Sequence, residues 1–191
     1  VVTEAMAAGI PVVAVDAPLI ITNRSGQRPC ETLVGQRYGR RDASCHTSNL
    51  TLYPAATSVA LAKSIEAEGY IHANPATPPP SRVVAEVYPH AGMVALFDLP
   101  KIIKYKKGSV AEKRTGLEVL RAHLARLEHA EPHLNRGAAL TSLLSENLGR
   151  LGGQDLKSYE DSLDALFCGY LAYYFWYWGW ARTEVFGDVH A

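Results

Sequence analysis

The sequence carries no net charge and lacks the common nucleotide-binding and serine-hydrolase motifs. Lysine and arginine number 19, as do aspartate and glutamate, so no overall electrostatic attraction to nucleic acid exists and any such contact needs a local basic patch. No Gly-x-Gly-x-x-Gly, P-loop or Gly-x-Ser-x-Gly pattern occurs. These absences disfavour dinucleotide-binding proteins, P-loop NTPases and hydrolases with a nucleophile elbow.

Cysteine and long apolar stretches are also scarce. The three cysteines cannot all pair within the chain, and because no signal peptide is recognisable they predict reduced thiols in a cytoplasmic protein. The uncharged run 165–180 is about 16 residues long, below the roughly 20 residues of a membrane-spanning helix. We therefore expect a buried core helix there and no membrane partner. The length of 191 residues, without internal repeats, predicts one domain over residues 1–191.

Two apolar segments, 11–21 and 82–89, predict β-strands. Their hydrophobic residues do not alternate with polar ones, which is typical of parallel strands covered on both faces. Pro18 and Pro89 are expected to end them. The remaining elements are predicted as helices at 3–9, 58–68, 109–127, 138–148 and 158–178, a long polar loop with short helical pieces at 22–49, and an edge strand at 183–187. Strands separated by helices predict an α/β fold.

Each predicted strand carries an acidic residue that needs a chemical explanation. Asp16 lies near the end of the first strand and Glu86 lies on the second. A buried, ionised carboxylate without a partner is costly, and the carboxyl ends of parallel strands are where ligands bind. If the strands are neighbours, about 5 Å apart, both carboxylates can share one metal ion. Alternatively, Asp16 accepts backbone hydrogen bonds in a local turn, and Glu86 pairs with a basic residue of the 22–49 loop.

Asp161 and Asp164 form a second pair of acids. They are three residues apart and therefore share one face of the predicted late helix. Carboxylates that converge without basic partners repel one another, and a divalent ion removes that repulsion. Oxygen ligands of this kind suit Mg²⁺ or Mn²⁺. Alternatively, Asp161 only completes a capping box with Ser158, and Asp164 is a surface acid.

Basic residues form two clusters that can hold phosphates. Lys104, Lys106 and Lys107 precede the helix at 109, and Tyr105 among them is positioned to stack on a base. Arg37 belongs to the second cluster, which lies close to His46 in the predicted loop. The alternative is an ordinary solvated charged surface.

Six segments resemble a family of predicted RNase H-like nucleases, and the similarity covers nearly the whole chain. They are Val-Asp-Ala-Pro-Leu at 15–19, Gly-Gln-Arg-Pro-Cys at 26–30, Arg-Tyr-Gly-Arg at 37–40, Glu-Val-Tyr-Pro-His at 86–90, Lys-Tyr-Lys-Lys-Gly at 104–108 and Asp-Ser-Leu-Asp-Ala-Leu at 161–166. The resemblance implies an RNase H-like mixed sheet flanked by helices, with three antiparallel strands before the parallel ones. Those first strands, and the acid that the first of them carries, have no counterpart in this chain.

The resemblance also implies a function. Asp16 matches the fourth-strand acid, Asp161 and Asp164 match the late-helix pair, and Glu86 matches an acid characteristic of the family. We therefore expect a metal-dependent nuclease in which these four catalytic carboxylates hold Mg²⁺ or Mn²⁺. The substrate phosphates would be bound by Lys104, Lys106, Lys107, Arg37 and His46.

Two other interpretations remain open at this point. One is a non-catalytic member of the fold that binds nucleic acid or a protein, and another is a nucleotide-handling phosphotransferase or hydrolase. Whichever function holds, the aromatic residues of the last helix predict a homodimer contact. They are Tyr170, Tyr173, Tyr174, Trp176, Trp178 and Trp180.

Overall fold

The computed structural model describes residues 11–75 and 82–188. The chain divides into two compact units, the first formed by Val1–Ile102 with Leu171–Ala191 and the second by Ile103–Tyr170. The helix predicted at 3–9 lies outside the described residues. The single domain over residues 1–191 stays a prediction.

A parallel sheet forms the centre of the first unit. Its strands are β1 (Val12–Val15), β2 (Ile71–His72) and β3 (Val83–Glu86), arranged in the order β1-β3-β2. Both neighbouring pairs run parallel, and the register aligns Val12 with Val83 and Val15 with Glu86. Valine dominates β1 and β3 because its branched side chain packs well on a pleated surface.

Both faces of this sheet are covered, as the uninterrupted apolar segments predict. On one face Val13 and Val84 pack with Leu19, Ile65 and Tyr70. On the other face Val12 and Val83 form a separate cluster with Phe175, which comes from the last helix of the chain. The strands are shorter than predicted, however. β1 ends at Val15, because the Asp-Ala-Pro sequence that follows leaves the hydrogen-bonded ladder.

Six α-helices lie among the described residues, which establishes the α/β class. They are α1 (Pro29–Tyr38), α2 (Thr57–Ala67), α3 (Pro89–Leu96), α4 (Val110–Arg126), α5 (Ala138–Leu144) and α6 (Gly153–Trp178). Short 3₁₀ turns follow at Gly39–Arg41, Leu127–His129, Leu148–Arg150 and Gly179–Arg182. None of these helices combines the length and hydropathy needed to cross a membrane. No disulfide joins Cys30, Cys45 and Cys168 within the described residues, which agrees with the prediction of reduced thiols.

Helix α4 confirms its sequence signals. The Ser109 hydroxyl accepts a hydrogen bond from the Glu112 amide at 3.3 Å, and the Glu112 carboxylate accepts from the Ser109 amide at 2.7 Å. This reciprocal pair is the predicted capping box. The leucines at 117, 120, 124 and 127 are buried along one face of the helix. The predicted helix at 58–68 is α2, which ends before Gly69, a residue with a φ of 85° that suits glycine.

Other predicted boundaries are wrong. Helix α6 begins at Gly153, so Ser158 and Asp161 lie inside it and form no capping box at its start. The predicted loop 22–49 contains α1, a helix of ten residues, and α3 was not predicted. Residues 183–187 form no strand. They lie against α1 instead, because the Glu184 carboxylate binds Arg37 there.

Candidate functional site

Asp16 and Glu86 lie at the same edge of the sheet in the first unit. Glu86 is the last residue of β3, and Asp16 directly follows Val15, its register partner on β1. The two strands are therefore neighbours, which is the condition that the sequence analysis set for a shared metal ion. Neither carboxylate is buried, because Asp16 is exposed and 33% of the Glu86 side chain remains accessible. This edge is open to solvent at both acids.

Glu86 has strong partners within the first unit. Its Oε1 accepts a hydrogen bond from Arg28 Nη2 at 2.5 Å, and its Oε2 accepts from Arg28 Nη1 at 3.0 Å. The Leu19 amide donates to the same Oε2 at 2.9 Å. This bidentate ion pair matches the alternative in which Glu86 pairs with a basic residue of the 22–49 segment. A role for Glu86 as a metal ligand stays a prediction.

Arg28 joins Glu86 to a second, more deeply buried acid. Arg28 is 3% exposed and Glu31 is 1% exposed, and Arg28 Nε donates to Glu31 Oε1 at 2.8 Å. Glu31 Oε2 also accepts from the backbone amides of Arg28 and Ser48, at 3.0 and 3.1 Å. Burial acts to raise the pKa of Glu31, but these hydrogen bonds outweigh it and hold the pKa below its ordinary value. We call Arg28, Glu31 and Glu86 the arginine hub.

Sequence reasoning missed two members of this hub, Arg28 and Glu31. The available signal was the Arg-Pro pair that opens α1, since proline favours the first position of a helix and Glu31 is the third helical residue. The Glu31 carboxylate reaches back to the Arg28 amide, which is one half of a capping box. An arginine before the helix does not suggest this arrangement, because serine, threonine, aspartate and asparagine are the usual caps.

The second unit brings three acids together on α6. One carboxylate oxygen each from Glu160, Asp161 and Asp164 lies within 4.8 Å of the others. Glu160 is buried, Asp161 is exposed, and the Asp164 side chain is mostly buried. The structure therefore joins Asp161 and Asp164 as predicted and adds Glu160, which the sequence analysis missed. Its position four residues before Asp164 was the signal for a shared helix face. We call these three residues the carboxylate cluster.

Basic and hydroxyl groups already contact this cluster. Lys157 Nζ lies 2.7 Å from both Glu160 Oε1 and Asp161 Oδ1. Lys106 Nζ lies 2.9 Å from Asp164 Oδ2, and the Tyr105 hydroxyl donates to Asp164 Oδ1 at 2.6 Å. Hydrogen bonds to Asp161 and Glu160 raise the pKa of Lys157. Two ammonium groups thus face three carboxylates, which leaves one negative charge in excess.

The predicted phosphate-binding residues occupy different surroundings. Lys106 borders the carboxylate cluster, and Lys104 and Lys107 in the same unit are exposed. Arg37 and His46 are exposed residues of the first unit. The base-stacking role predicted for Tyr105 is wrong, because its side chain is completely buried. The sequence could not show this burial, which arises where the backbone at 104–105 packs closely on Gly116 of α4.

A family model described as "Protein of unknown function (DUF429)" matches residues 2–185. The chain belongs to the DUF429 family. Neither the curated proteins nor the solved structures contain a match to this sequence. The family description carries no activity, so any function of this DUF429 chain must be argued from its residues.

The donor set of the carboxylate cluster fits a small divalent ion. Glu160, Asp161 and Asp164 offer only oxygen atoms, which Mg²⁺ and Mn²⁺ prefer. Oxygens on opposite sides of a Mg²⁺ ion are about 4.2 Å apart and neighbouring ones about 3 Å apart, so the three carboxylates, now within 4.8 Å of one another, must move closer together to share one ion. The Lys157 ammonium already binds two of the three carboxylates as a cation. About half of the Lys157 side chain is exposed, so it can turn into solvent when an ion binds in this DUF429 chain.

The two groups of predicted acids belong to different units of the DUF429 chain. Asp16 and Glu86 are in the first unit, and Asp161 and Asp164 are in the second. Their convergence on one shared metal site stays a prediction.

Proposed function

We propose that this DUF429 chain is a metal-dependent phosphodiester hydrolase that acts on nucleic acid and has an RNase H-like core. The observation that carries this proposal is the carboxylate cluster, three oxygen ligands within 4.8 Å of one another with Lys106 beside them. The resemblance of the segments at 15–19, 86–90 and 161–166 to RNase H-like nucleases supports it.

The chain's own residues have distinct roles in this proposal. Glu160, Asp161 and Asp164 would hold Mg²⁺ or Mn²⁺, with Asp16 and Glu86 as the further predicted ligands. Such ions lower the pKa of a bound water and neutralise charge on a phosphate. Tyr105 orients Asp164 through its hydrogen bond. The remaining role, binding the phosphates of the substrate, falls to the exposed cationic side chains, which are Lys104, Lys107, Arg37 and His46.

Hydrolysis of labelled oligonucleotides tests the proposal. Single-stranded DNA, duplex DNA and RNA would each be incubated with the protein in Mg²⁺, Mn²⁺ or EDTA. We expect cleavage that requires the metal and falls by about 100-fold or more in Asp164→Asn. Asp155→Asn is the matched control, because Asp155 is an exposed acid in the first turn of the same helix. Asp16→Asn asks separately whether the acid of the first unit takes part.

Two outcomes would reject this function. One is cleavage that continues in EDTA, because the carboxylate cluster would then have no role in it. The other is an Asp164→Asn variant that is as active as Asp155→Asn.

Metal binding can be measured without any substrate. Isothermal titration calorimetry should show that Mn²⁺ binds more weakly to Glu160→Gln and more tightly to Lys157→Met than to the wild-type protein. The second change removes the ammonium that competes for Glu160 and Asp161. Lys63→Met is the control, since Lys63 is an exposed lysine of α2. Equal Mn²⁺ affinities for Lys157→Met and Lys63→Met would contradict the assignment of the carboxylate cluster as the metal site.

A second candidate is a non-catalytic domain that binds nucleic acid. It is favoured by the ion pairs that Glu86 makes with Arg28 and Asp164 makes with Lys106, because these acids are neutralised without a metal. This candidate predicts oligonucleotide binding that weakens with salt, is unchanged by EDTA, and is not followed by cleavage.

A further inference from the structure

The segment after α6 is attached to the end of α1 by one carboxylate. Glu184 Oε1 accepts a hydrogen bond from Arg37 Nη2 at 2.9 Å, and Glu184 Oε2 accepts from the Tyr38 hydroxyl at 2.5 Å. Two residues further on, the Phe186 ring packs edge-on against the Tyr38 ring, with centroids 6.1 Å apart. Residues 183–188 form no helix or strand, so these side-chain contacts hold the segment in place.

Arg37 and Tyr38 together provide the guanidinium and hydroxyl donors that bind an oxyanion. Tyr38 is 5% exposed, so its hydroxyl is a fixed donor at the surface end of a buried ring. Burial, followed by the hydrogen bond to Glu184, raises the pKa of Tyr38 from 10.0 to about 12, so the hydroxyl remains a donor even well above neutral pH. Arg37 is 58% exposed and adds a guanidinium, the side chain best suited to planar or tetrahedral oxyanions.

The surroundings of this pair are rich in positive charge. Arg40 and Arg41 follow directly in the 3₁₀ turn that continues α1. Arg40 is exposed and makes no ion pair within the part of the chain that the structure describes. Arg41 Nη1 lies only at the outer limit of an ion pair with Asp98, at 3.9 Å. Glu184 binds Arg37 and Asp98 borders Arg41, so among the described residues Arg40 is left without a carboxylate partner, which favours an additional anion here.

We propose that Arg37 and Tyr38 form an oxyanion-binding site in which Glu184 is an internal occupant that a backbone phosphate of nucleic acid displaces. The identity of the ligand as nucleic acid rests on the proposed function, and the site itself rests on the contacts of Glu184. A carboxylate and a phosphodiester present the same kind of acceptor oxygens to a guanidinium and a hydroxyl. Displacement is a simple exchange, in which Glu184 moves into water and a phosphate takes its two hydrogen bonds.

Binding of a fluorescent single-stranded oligonucleotide tests this site. Anisotropy would be measured with the whole protein at low salt in EDTA, so that no metal-dependent step contributes. Glu184→Gln should bind about fivefold tighter than wild type, the effect expected when one exposed ion pair no longer competes. Glu68→Gln is the matched control, since it removes the same charge from an exposed position that follows α2. Its affinity should stay close to that of wild type.

A double variant identifies the residue responsible for the gain. In Arg37→Gln/Glu184→Gln the oligonucleotide should bind no more tightly than to Arg37→Gln alone. The proposal is overturned if Glu184→Gln binds no better than Glu68→Gln, or if its gain persists without Arg37.

Inorganic phosphate distinguishes the site from its ligand. If Glu184→Gln binds phosphate through Arg37 but no variant binds the oligonucleotide, then the oxyanion site stands and its nucleic-acid ligand is refuted. Because these measurements are made in EDTA, they remain separate from the cleavage assays. A chain that binds through Arg37 but never cleaves would refute the proposed hydrolase and leave this inference intact.

Discussion

Replacing Arg28 by methionine should lower the free energy of unfolding more than the same replacement of any other arginine in the first unit. The side chain is almost fully buried and donates to Glu31, Glu86 and the Ile20 carbonyl. Methionine fills a similar volume but donates nothing. Glu31 then remains buried with a negative charge, and Glu86 keeps only the Leu19 amide as a donor among the partners described above.

The expected loss follows from these contacts. Removing one partner of a buried ion pair costs about 3–5 kcal/mol, because the remaining charge has lost its compensation. Glu31 still accepts hydrogen bonds from two backbone amides, and Glu86 is partly exposed. Both features reduce the penalty, so we expect about 3 kcal/mol. That is a large part of a total stability of about 5–15 kcal/mol.

Urea unfolding at pH 7, followed by far-UV circular dichroism, measures this loss directly. Arg37→Met provides the matched control, because Arg37 also binds a glutamate but is largely exposed. Exposed ion pairs contribute about 0–1 kcal/mol, so this control should change the free energy of unfolding very little.

A double variant tests the cause of the loss. Arg28→Met/Glu31→Gln should be more stable than Arg28→Met, because glutamine removes the uncompensated charge and keeps an acceptor for the two backbone amides. The reasoning would fail if Arg28→Met cost no more than Arg37→Met, or if the Glu31 substitution made the loss larger.

Three further predictions concern other parts of the chain. Gly116→Ala should lower the free energy of unfolding, measured in urea, by about 1–3 kcal/mol, because the added Cβ would lie 2.0 Å from the Lys104 carbonyl oxygen. Gly169→Ala is the control: its Cβ would meet no atom within 4 Å, so the free energy of unfolding should stay the same or rise. Ser109→Ala should cost about 1 kcal/mol by the same assay, and Ser109→Asp should restore most of it. The pKa of Tyr38 is raised from 10.0 to about 12, so the stability that its protonated hydroxyl provides is complete below pH 10 and is lost as pH rises toward 12. Tyr38→Phe should therefore make the free energy of unfolding depend less on pH between 10 and 12. An unchanged pH dependence would contradict the raised pKa of Tyr38.

The sheet could be predicted from the sequence because its signal is local. Residues 12–15 and 83–85 are apolar at every position, a pattern typical of a strand covered on both faces. Their lengths were overestimated, since hydrophobicity continues from Leu19 to Ile21 after the backbone has left the ladder. Leu19 is buried without belonging to a strand.

The start of α6 shows how a local motif can mislead. Ser158 and Asp161 match the capping-box pattern, but Leu156 and Tyr159 are already buried on the same helical stripe as Leu163. Burial of that stripe extends the helix back to Gly153, and the energy of this packing exceeds the preference of serine for a cap.

The sequence could name individual partners only for site residues that lie close together along the chain; for Glu86 it offered a basic residue of the 22–49 segment without saying which. Asp161 and Asp164 share a face through helical spacing alone, whereas the partners of Glu86 and the burial of Tyr105 depend on contacts with distant segments. Arg28 is 58 residues from Glu86, and no sequence pattern connects them.

The arginine hub also has a consequence for the order in which the first unit can fold. Glu86 meets Arg28 across 58 residues and the Leu19 amide across 67, and parallel strands β1 and β3 join over a similar separation. Closing such long loops lowers the entropy of the chain before any stabilising contact has formed, and parallel strands pair slowly for that reason. During synthesis the amino-terminal portion emerges first. Until β3 leaves the ribosome, Arg28 therefore has Glu31 as its acidic partner and still lacks Glu86, so this part of the fold is completed late.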